Sequence, residues 1–499
     1  MVENRYLILE KKDEVYLSIE AESDIRRELS EFFTFEVPGY KFMPQYRSRY
    51  WDGKIRLFKY ASGEIYYGLL PYIKKFCEDN NISIVSKIKE KAKPLDKLEC
   101  ARFCKALKIP KITIRDYQFN AFYHAIQEDR CLLLSPTASG KSLIAYLILR
   151  FQLLRIKEKK SNKVLIIVPT TSLVEQLYKD FAEYGYNTKH IHRIYQGHDK
   201  DTTKKVVIST WQSIYKLPKT WFAQFGCIIG DEAHLFKSQS LTGIMTKMTN
   251  CKYRIGMTGT LDGSKTHKLV LEGLFGAVNR VASTTDLIDK KQLAAFKIHC
   301  LILKHGKNSK DFLKDKNYQE EMDFLCASKA RNKYITNLTN GLQGNTLLLF
   351  QFVEKHGKIL QEQIEKKVDD GRKVFFVYGG VSADDRENIR AITEKSDNAI
   401  IVASYGTFST GVSIRRLHNI IFASPSKSRV RVLQSIGRQL RKSKYKEKAR
   451  LYDIGDDLSW KTWTNHTLKH FVERMKIYNK ERFEYKTVKI NLEEGEANG

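Results

Sequence analysis

Two short motifs, each preceded by a run of apolar residues, do most to restrict the fold of this chain. Leu132-Leu133-Leu134 leads into Ser135-Pro-Thr-Ala-Ser-Gly140-Lys141-Ser142, and Cys227-Ile228-Ile229 leads into Asp231-Glu232-Ala233-His234. Short apolar runs bounded by polar motifs are typical of buried strands in a parallel sheet. Such sheets bind ligands at the carboxyl ends of their strands, where both motifs would lie. The two motifs therefore predict an α/β fold with a nucleotide site.

The first motif has the residue types that hold phosphate groups. Its glycine and small residues let backbone N–H groups and a helix N-terminus face an anion. Lys141 would reach the β and γ phosphates, and Ser142 would be a ligand of Mg²⁺, while Ser139 and Gly140 would contact the nucleotide. Position 135 is serine where the strict pattern has glycine. For this motif alone, a chance Gly-Lys-Ser helix start is the alternative.

The second motif supplies two neighbouring carboxylates at the end of a predicted strand. Asp231 would hold Mg²⁺, and Glu232 would orient and deprotonate the attacking water. A solvated acidic loop is the alternative interpretation. The phosphate loop upstream favours the catalytic one, because the two motifs together predict hydrolysis of a nucleoside triphosphate such as ATP.

A third motif, Gln434-Ser-Ile-Gly437-Arg438-Gln-Leu-Arg441, carries two arginines that share one face of a helix. A planar guanidinium suits charge spread over phosphate oxygens, so Arg438 and Arg441 are predicted to assist catalysis, with Gln434 beside them. Hydrolysis would then require a second domain to close on the nucleotide. The alternative is a basic helix facing nucleic acid, because residues 425–450 hold ten basic side chains and one acidic side chain.

The charge of the chain predicts a polyanionic partner. Its 499 residues include 86 basic and 57 acidic side chains, a net charge of +29. Nucleic acid is the favoured partner and an anionic membrane surface the rival. The sequence contains no window of 18 apolar residues, so no membrane span is predicted. The N-terminus does not resemble a signal peptide. The scattered cysteines predict a reduced, cytoplasmic protein without a zinc site.

Residues 1–95 are predicted to be a small N-terminal domain that recognises nucleic acid. Short strands are expected at 6–9 and 15–18, and a helix from Ser23 to Phe33. The segment Glu36–Tyr60 holds seven aromatic and six basic side chains against two acids. Strand alternation would turn the aromatic side chains inward and the basic ones outward. The predicted contacts to duplex or branched nucleic acid are Arg47, Arg49, Lys54 and Arg56.

From about residue 105, apolar strand runs alternate with helical stretches, which predicts two parallel sheets in tandem. The predicted domains are 105–290, which binds ATP, and 291–460, followed by a C-terminal extension over 461–499. The region 283–330 is polar and shows few strand signals. The extension is expected to be a helix from Lys461 to about Glu484 and then a polar tail.

Further motifs lie between those already described. In chain order they are Arg115-Asp-Tyr-Gln118, Val168-Pro-Thr-Thr171, Ser209-Thr210-Trp-Gln-Ser213, Thr258-Gly259-Thr260, and Ala403-Ser-Tyr-Gly406 through Ser409-Thr-Gly411. With the phosphate loop, the acidic motif and the arginine motif, they resemble the ordered motifs of superfamily-two helicases over residues 110–455. The whole chain, including Phe32-Phe33-Thr-Phe35 and Trp51-Asp52-Gly53-Lys54-Ile55-Arg56, is similar to bacteriophage members that act on branched DNA.

The resemblance implies two RecA-like domains behind a small α/β (α+β) N-terminal domain, with a short helical C-terminal extension. It also implies an ATP-dependent DNA helicase that unwinds and branch-migrates forks, four-way junctions and R-loops in recombination, repair and replication. The implied motor is monomeric, works in the host cytoplasm and can have a single-strand-binding accessory protein. The additional site residues implied are Gln118 and Gly411 for the nucleotide and Pro169, Thr170, Thr210, Ser404 and Thr410 for the nucleic-acid strand.

Two alternatives remain open from the sequence. One is a helicase acting on RNA or RNA–DNA hybrids, because motor motifs of this kind grip the backbone, and only contacts to the 2′-hydroxyl distinguish the two nucleic acids. The other is a non-catalytic scaffold that binds nucleic acid. The intact set of Lys141, Asp231, Glu232, Arg438 and Arg441 argues against a scaffold.

Overall fold

The computed structural model of the protein describes residues 5–89, 94–261, 264–369, 371–409, 414, 416–425, 428, 432–433, 435–437, 440 and 448–492. The chain divides into two compact units. The first contains residues 1–135 and 140–281, and the second contains residues 136–139 and 282–499. No helix within the described ranges is long and apolar enough to cross a membrane.

The N-terminal part of the first unit is a small sheet with flanking helices. Its strands are β1 (Tyr6–Lys11), β2 (Tyr16–Ala21), β3 (Thr34–Glu36), β4 (Lys54–Arg56), β5 (Phe58–Lys59), β6 (Glu64–Tyr66) and β7 (Ser83–Ser86), and its helices are α1 (Ser23–Phe32), α2 (Pro44–Arg47) and α3 (Leu70–Asp79). The strand order is β5-β6-β2-β1-β7, and β3 pairs with β4 in a separate two-stranded sheet. The predicted strands and the predicted helix before residue 33 are confirmed.

Alternating side chains explain why this small sheet has one buried face. Leu7 and Leu9 of β1 and Leu17 and Ile19 of β2 are buried, while the residues between them point toward the opposite face. The antiparallel register places Leu9 opposite Ile19, so the apolar side chains of both strands meet on one side. Helix α1 covers this side with its buried Ile25.

The rest of the first unit is a parallel sheet between two layers of helices. Its strands are β8 (Arg130–Leu134), β9 (Lys163–Val168), β10 (Ile191–Ile194), β11 (Val206–Thr210), β12 (Phe225–Gly230), β13 (Tyr253–Thr258) and β14 (Val278–Arg280), in the order β10-β11-β9-β12-β13-β8-β14. Its helices are α4 (Lys97–Ala106), α5 (Asp116–Glu128), α6 (Lys141–Arg155), α7 (Thr171–Glu183), α8 (Trp211–Ile214), α9 (Lys219–Phe222), α10 (Gln239–Lys247) and α11 (Lys265–Phe275). The central strands β9 and β12 are buried except at Lys163, which accounts for their otherwise apolar sequences.

One hydrophobic core joins the N-terminal sheet to this parallel sheet. Leu69, just before α3, belongs to the same buried cluster as Leu274 of α11. The hydroxyl of Tyr72 donates a hydrogen bond to Glu272 Oε2 at 2.6 Å. Gly68 lies so close to α11 that a Cβ at this position would be 2.0 Å from the carbonyl oxygen of Glu272. The N-terminal sheet is therefore an integral part of the first unit's packing.

The second unit contains another parallel sheet. Its strands are β15 (Ala295–Lys304), β16 (Thr346–Phe350), β17 (Val374–Val377), β18 (Ile400–Ser404), β19 (Asn419–Phe422), β20 (Lys448–Asp457) and β21 (Tyr485–Asn491), in the order β17-β18-β16-β19-β20-β15-β21. Its helices are α12 (Thr284–Asp289), α13 (Lys307–Leu313), α14 (Tyr318–Ala327), α15 (Lys329–Gly341), α16 (Lys358–Glu365), α17 (Ala383–Lys395), α18 (Tyr405–Ser409) and α19 (His466–Lys480). Two parallel α/β sheets, a small N-terminal α/β part and a helix near the C-terminus confirm the predicted fold class.

A buried ionic network lies in the second unit. Arg331 of α15 donates to both carboxylate oxygens of Asp456 on β20, at 2.8 and 3.0 Å, and to the carbonyl of Ala423 at 2.7 Å. His305 Nε2 is 3.1 Å from Asp456 Oδ1. Burial and the charge of Arg331 lower the pKa of His356 to about 3, so this neighbour is neutral at pH 7. The network connects β20 and α15 with the residues that directly follow β15 and β19.

Two predictions on the second unit were wrong. The region 283–330 contains the ten-residue strand β15, which lies between β20 and β21, and the helices α13 and α14. The residues after the C-terminal helix were expected to be a polar tail, but residues 485–491 form β21, parallel to β15. An edge strand exposes most of its side chains, so a polar sequence is compatible with it.

The prediction of an alternating strand between Glu36 and Tyr60 was also wrong for its middle part. Residues 40–42 form a 3₁₀ turn and residues 44–47 the short helix α2. Gly39 precedes the turn with a φ of 77°, and Pro44 occupies the first position of α2. Glycine accepts the left-handed conformation and proline favours a helix start, so these residues interrupt the strand.

Candidate nucleotide and nucleic-acid sites

The predicted phosphate loop connects the end of β8 to the start of α6. The Ser135 amide donates to the Thr258 carbonyl at 2.8 Å, which attaches the loop to β13. Gly140 adopts a φ of 82° directly before α6, a conformation that glycine accepts without strain. Lys141 Nζ lies 3.4 Å from the Ser135 carbonyl oxygen, over its own loop. Ser139 is buried in the same loop. The amide groups at the start of α6 and the Lys141 ammonium thus lie on one loop at the sheet's carboxyl edge.

Ser142 has a partner that the sequence did not reveal. Its hydroxyl lies 3.0 Å from the hydroxyl of Tyr184, at the end of α7. Burial raises the pKa of Tyr184 to about 12, so the tyrosine remains a neutral hydroxyl at physiological pH. No sequence motif connects these two residues, because the contact depends on how α6 packs against α7.

Gln118 lies beside the phosphate loop. Its Oε1 accepts a hydrogen bond from the Arg115 amide at 3.0 Å, which fixes the side chain at the start of α5. A Cβ at Gly140 would be 2.4 Å from Gln118 Nε2. The structure therefore brings Gln118 of the Arg115–Gln118 motif next to the phosphate loop, although the two lie on separate elements.

The acidic motif begins where β12 ends. The Asp231 amide donates to the Ile167 carbonyl at 2.9 Å, so the carboxylate starts at the carboxyl edge of the sheet. Asp231 Oδ1 is buried and has no hydrogen-bond partner among the described residues. Burial and the adjacent charge of Glu232 raise the pKa of Asp231 to about 6, while Lys141 acts in the opposite direction. A cation next to this carboxylate would relieve both of the effects that raise its pKa.

Glu232 and His234 connect the acidic motif to the end of β13. Glu232 adopts a left-handed conformation with a φ of 49°, which is uncommon for a non-glycine residue. His234 Nδ1 lies 3.4 Å from Glu232 Oε2 and 3.0 Å from Thr258 Oγ1. The amide of Thr260 donates to the same Thr258 hydroxyl at 3.3 Å. Side-chain contacts therefore join the acidic motif to the predicted Thr258–Thr260 motif, hereafter the threonine motif.

These residues fit a magnesium–nucleotide complex. A buried carboxylate oxygen without a partner, on Asp231, matches a hard divalent cation, and the hydroxyl of Ser142 is a second oxygen donor. Gly140 allows the left-handed turn that leads into α6, and Lys141 supplies positive charge. The first unit thus has the groups that hold phosphate and metal.

The predicted strand contacts of the first unit lie together. Pro169 and Thr170 follow β9, and Thr210 ends the neighbouring β11, where it pairs with Val168. Gln212 Nε2 donates to the Pro169 carbonyl at 3.3 Å, so the two motifs are in contact. They occupy the carboxyl edge of the sheet, as does the acidic motif.

In the second unit, the structure describes one of the predicted contact residues. Ser404 ends β18, and its hydroxyl lies 2.8 Å from the Thr407 hydroxyl at the start of α18. The remaining predicted residues of this unit lie outside the described residues: Thr410, Gly411, Gln434, Arg438 and Arg441.

The four basic side chains predicted to contact nucleic acid are exposed. Arg47 ends α2, Arg49 follows it, and Lys54 and Arg56 lie on β4. Arg56 forms an ion pair with Asp52 across one turn of chain. The exposure agrees with the sequence argument that basic side chains face solvent. Lys54 and Arg56 are exposed on a strand, as predicted, whereas Arg47 and Arg49 are exposed on a short helix and the turn after it.

Comparisons with known proteins agree with this arrangement. The family model described as the N-terminal part of the DNA helicase UvsW matches residues 7–86. The type III restriction enzyme res subunit model matches residues 111–263, and the conserved C-terminal helicase domain matches residues 330–443. The first of these two matches covers β8–β13 of the first parallel sheet, and the second covers β16–β19 of the second.

Individual relatives extend the match over the whole chain. The ATP-dependent DNA helicase UvsW of Enterobacteria phage T4 is 35% identical over 96% of this chain and 98% of its own length. A crystal structure of T4 UvsW covers 98% of this chain and 100% of its own, at 32% identity and a TM-score of 0.51. The DNA 3′-5′ translocase XPB2 of Sulfurisphaera tokodaii is 24% identical over 66% of this chain and 79% of its length. The chain therefore belongs to the UvsW family of ATP-dependent DNA helicases.

Proposed function

We propose that this helicase remodels branched DNA, unwinding and migrating forks, four-way junctions and R-loops. The observation that carries the proposal is the exposed basic group of Arg47, Arg49, Lys54 and Arg56 on a part of the first unit that lacks the motor motifs. A motor alone needs contacts to the strand it tracks. A second basic surface is suited to the additional duplex arm of a branch.

Hydrolysis of ATP is assigned to the phosphate loop and the acidic motif, which belong to the first unit apart from residues 136–139. Lys141 neutralises the β and γ phosphates, Ser139 and Gly140 contact them through the loop, and Gln118 reads the adenine. Asp231 and Ser142 hold Mg²⁺, which neutralises phosphate charge when it is bound. Glu232 accepts a proton from the attacking water. The raised pKa of Asp231 supports a cation site, because a bound cation would stabilise the ionised carboxylate.

The remaining predicted residues complete the motor. Arg438 and Arg441, with Gln434, act on charge that develops during phosphoryl transfer, and Gly411 contacts the nucleotide. Pro169, Thr170, Thr210, Ser404 and Thr410 grip the backbone of one strand. The proposed domains are 1–95, 105–290, 291–460 and 461–499. The motor acts as a monomer in the host cytoplasm, and its accessory partner is a single-strand-binding protein.

Binding to duplex DNA is expected to weaken steeply with salt. With a net charge of +29 and an exposed basic group, several phosphates are contacted, and each lowers the slope of log K against log salt by about 0.9. Fluorescence anisotropy titrations of labelled DNA at salt concentrations from about 50 to about 200 mM measure this slope. A binding constant that stays flat over this range would contradict a grip on the phosphate backbone.

Charge reversal at Arg47, Arg49, Lys54 and Arg56 tests the branch proposal. Replacing all four residues with glutamate should lower the unwinding rate on four-way junctions, relative to that on simple overhangs, by about tenfold or more, because several phosphate contacts are lost. ATP hydrolysis on single-stranded DNA should persist, because none of the four residues lies at the proposed nucleotide site. The measurement is the ratio of unwinding rates on the two substrates.

A matched variant controls for net charge. Lys74, Lys75, Lys87 and Lys89 are exposed on the same N-terminal part, and their reversal changes the charge equally. This control should keep the preference for junctions. An unchanged ratio in the first variant, or an equal loss in the control, would refute the assignment. Hydrolysis rates on DNA, RNA and hybrid strands of one sequence test the RNA alternative in the same preparation.

A further inference from the structure

An apolar tip projects from the N-terminal part of the first unit. In the segment 37–53, hereafter the tip loop, Phe42 is 77% exposed, Tyr50 is 91% exposed and Met43 is 37% exposed. Large apolar side chains gathered on one short exposed segment mark an interaction site, because water does not favour their exposure. The basic residues described above do not account for them.

The tip loop is folded, so these side chains have a defined base. The Val37 amide donates to the Gly53 carbonyl at 2.9 Å, which closes the loop beyond the β3–β4 pair. Inside the loop, the rings of Tyr40 and Tyr46 pack edge to face with centroids 4.7 Å apart. A Cβ at Gly53 would be 2.2 Å from the Tyr40 ring, so the ring fills the space above this glycine. Two aromatic rings thus support the loop internally, while Phe42 and Tyr50 remain outside.

The charge around the tip indicates the chemistry of its partner. Lys41 directly precedes Phe42, and Arg47 and Arg49 lie between Met43 and Tyr50; all three basic side chains are exposed. Aromatic side chains alternating with basic ones match single-stranded nucleic acid, whose bases stack while its phosphates are neutralised. An apolar surface of a protein partner would not by itself require this positive charge.

The base of the tip loop rests on the motor part of the first unit. Lys265 Nζ of α11 lies 5.3 Å from the centroid of the Phe35 ring on β3. Thr266 Oγ1 donates to the Glu36 carbonyl at 3.4 Å. Helix α11 follows the threonine motif at the end of β13. The tip therefore has a fixed position relative to the predicted hydrolysis site.

We propose that Phe42 and Tyr50 stack on unpaired bases at the branch point of DNA, with Met43 packed beside them. This inference rests on the proposed function and adds the part of the substrate that the tip recognises. Arg47 and Arg49 would hold the adjoining phosphates, while the aromatic rings would keep the separated bases from pairing again. The tip would thus distinguish a branch from a continuous duplex, since a continuous duplex offers no unpaired base.

The test uses forks and single strands that carry 2-aminopurine, whose fluorescence reports stacking, at the unpaired position next to the branch. The full-length protein should change the fluorescence on binding. The double variant Phe42→Ala with Tyr50→Ala should lose that change and bind forks about tenfold more weakly for each stacked base. Both side chains are exposed, so unfolding temperature should stay the same.

Three variants separate stacking from other effects. Phe42→Tyr with Tyr50→Phe keeps both rings and should behave as the original protein. Phe42→Leu with Tyr50→Leu keeps apolar surface without rings and should behave as the alanine variant. Leu154→Ala with Phe312→Ala removes side chains that are 64% and 62% exposed elsewhere, and should change nothing.

The outcomes distinguish this inference from the proposed function. If the alanine variant keeps the full fluorescence change, or the leucine variant matches the original protein, base stacking by the tip is refuted while junction preference can still stand. If the original protein shows no preference for forks but stacks on single strands through Phe42 and Tyr50, the tip inference holds and branch remodelling fails. Variants equal to the original protein in every DNA assay would assign the tip to a protein partner and overturn the inference.

Discussion

Replacing Lys141 with alanine is expected to lower the turnover of ATP by about 100- to 1,000-fold, the effect typical of losing one preorganised charge at a reacting phosphate. Lys141 starts α6 and lies close enough to Asp231 to oppose the rise in its pKa. DNA affinity should change little, because many basic side chains share the grip. The measurements are the turnover number at saturating DNA and the DNA dissociation constant.

Two further variants at the same site should fail at different steps from Lys141→Ala. Glu232→Gln keeps the shape of the side chain and loses the base, so ATP should bind without being hydrolysed. Asp231→Asn should instead weaken nucleotide binding that depends on Mg²⁺. Near-normal turnover in all three variants would contradict the assignment of the nucleotide site to the first unit.

Arg331→Met is expected to lower the free energy of unfolding of the second unit by about 3 to 5 kcal/mol, because it leaves the buried carboxylate of Asp456 without its main counter-charge. Arg331 and Asp456 are each 1% exposed, so water cannot replace the lost partner. The carbonyl of Ala423 also loses a donor. Denaturant unfolding followed by a spectroscopic probe measures the loss.

The pH dependence of stability gives a second readout of the same network. Burial alone would raise the pKa of Asp456, but Arg331 and His305 hold it well below its usual range. A carboxyl whose pKa is lower in the folded state stabilises that state above its unfolded pKa, and this contribution disappears as the pH falls. Stability should therefore decrease as the pH falls below about 5, and the decrease should continue below about pH 3; Arg331→Met should flatten it.

Arg390, an arginine in surface ion pairs, provides the control. Arg390 forms ion pairs with Glu387 and Glu394 on α17, and Arg390→Met should cost less than about 1 kcal/mol because those charges remain hydrated. Equal losses for Arg331→Met and Arg390→Met would show that the buried network does not hold the second unit together.

The parallel strands were predictable where the buried residues are all apolar. After a polar first residue, strands such as β9 and β16 are uninterrupted apolar runs, and the motifs at their ends could be placed from the same pattern. The sequence missed β20, in which Asp453 and Asp456 interrupt the apolar run. These carboxylates are buried because Arg474 and Arg331, from distant helices, satisfy them. A local pattern cannot reveal such partners.

The candidate site likewise contains residues that a motif predicts and contacts that depend on tertiary packing. Lys141, Asp231 and Glu232 could be predicted because each belongs to a short motif with a defined spacing. The hydrogen bond between Ser142 and Tyr184 depends on helix packing, and no motif indicates it. In the tip loop, Gly39 and Pro44 carried a local signal for turns, but the aromatic and basic composition favoured a strand.

The core shared by the N-terminal sheet and the first parallel sheet has a mechanical consequence. The β3–β4 pair carries the tip loop and contacts α11 directly, so the loop and the predicted hydrolysis site belong to one body. Because the described residues of the two share this packing, a displacement of that body along DNA would move the tip by an equal distance. If the tip engages the branch as proposed, the length of one motor step and the advance of the branch are a single quantity, and a force applied at the branch would be felt directly at the site of ATP hydrolysis.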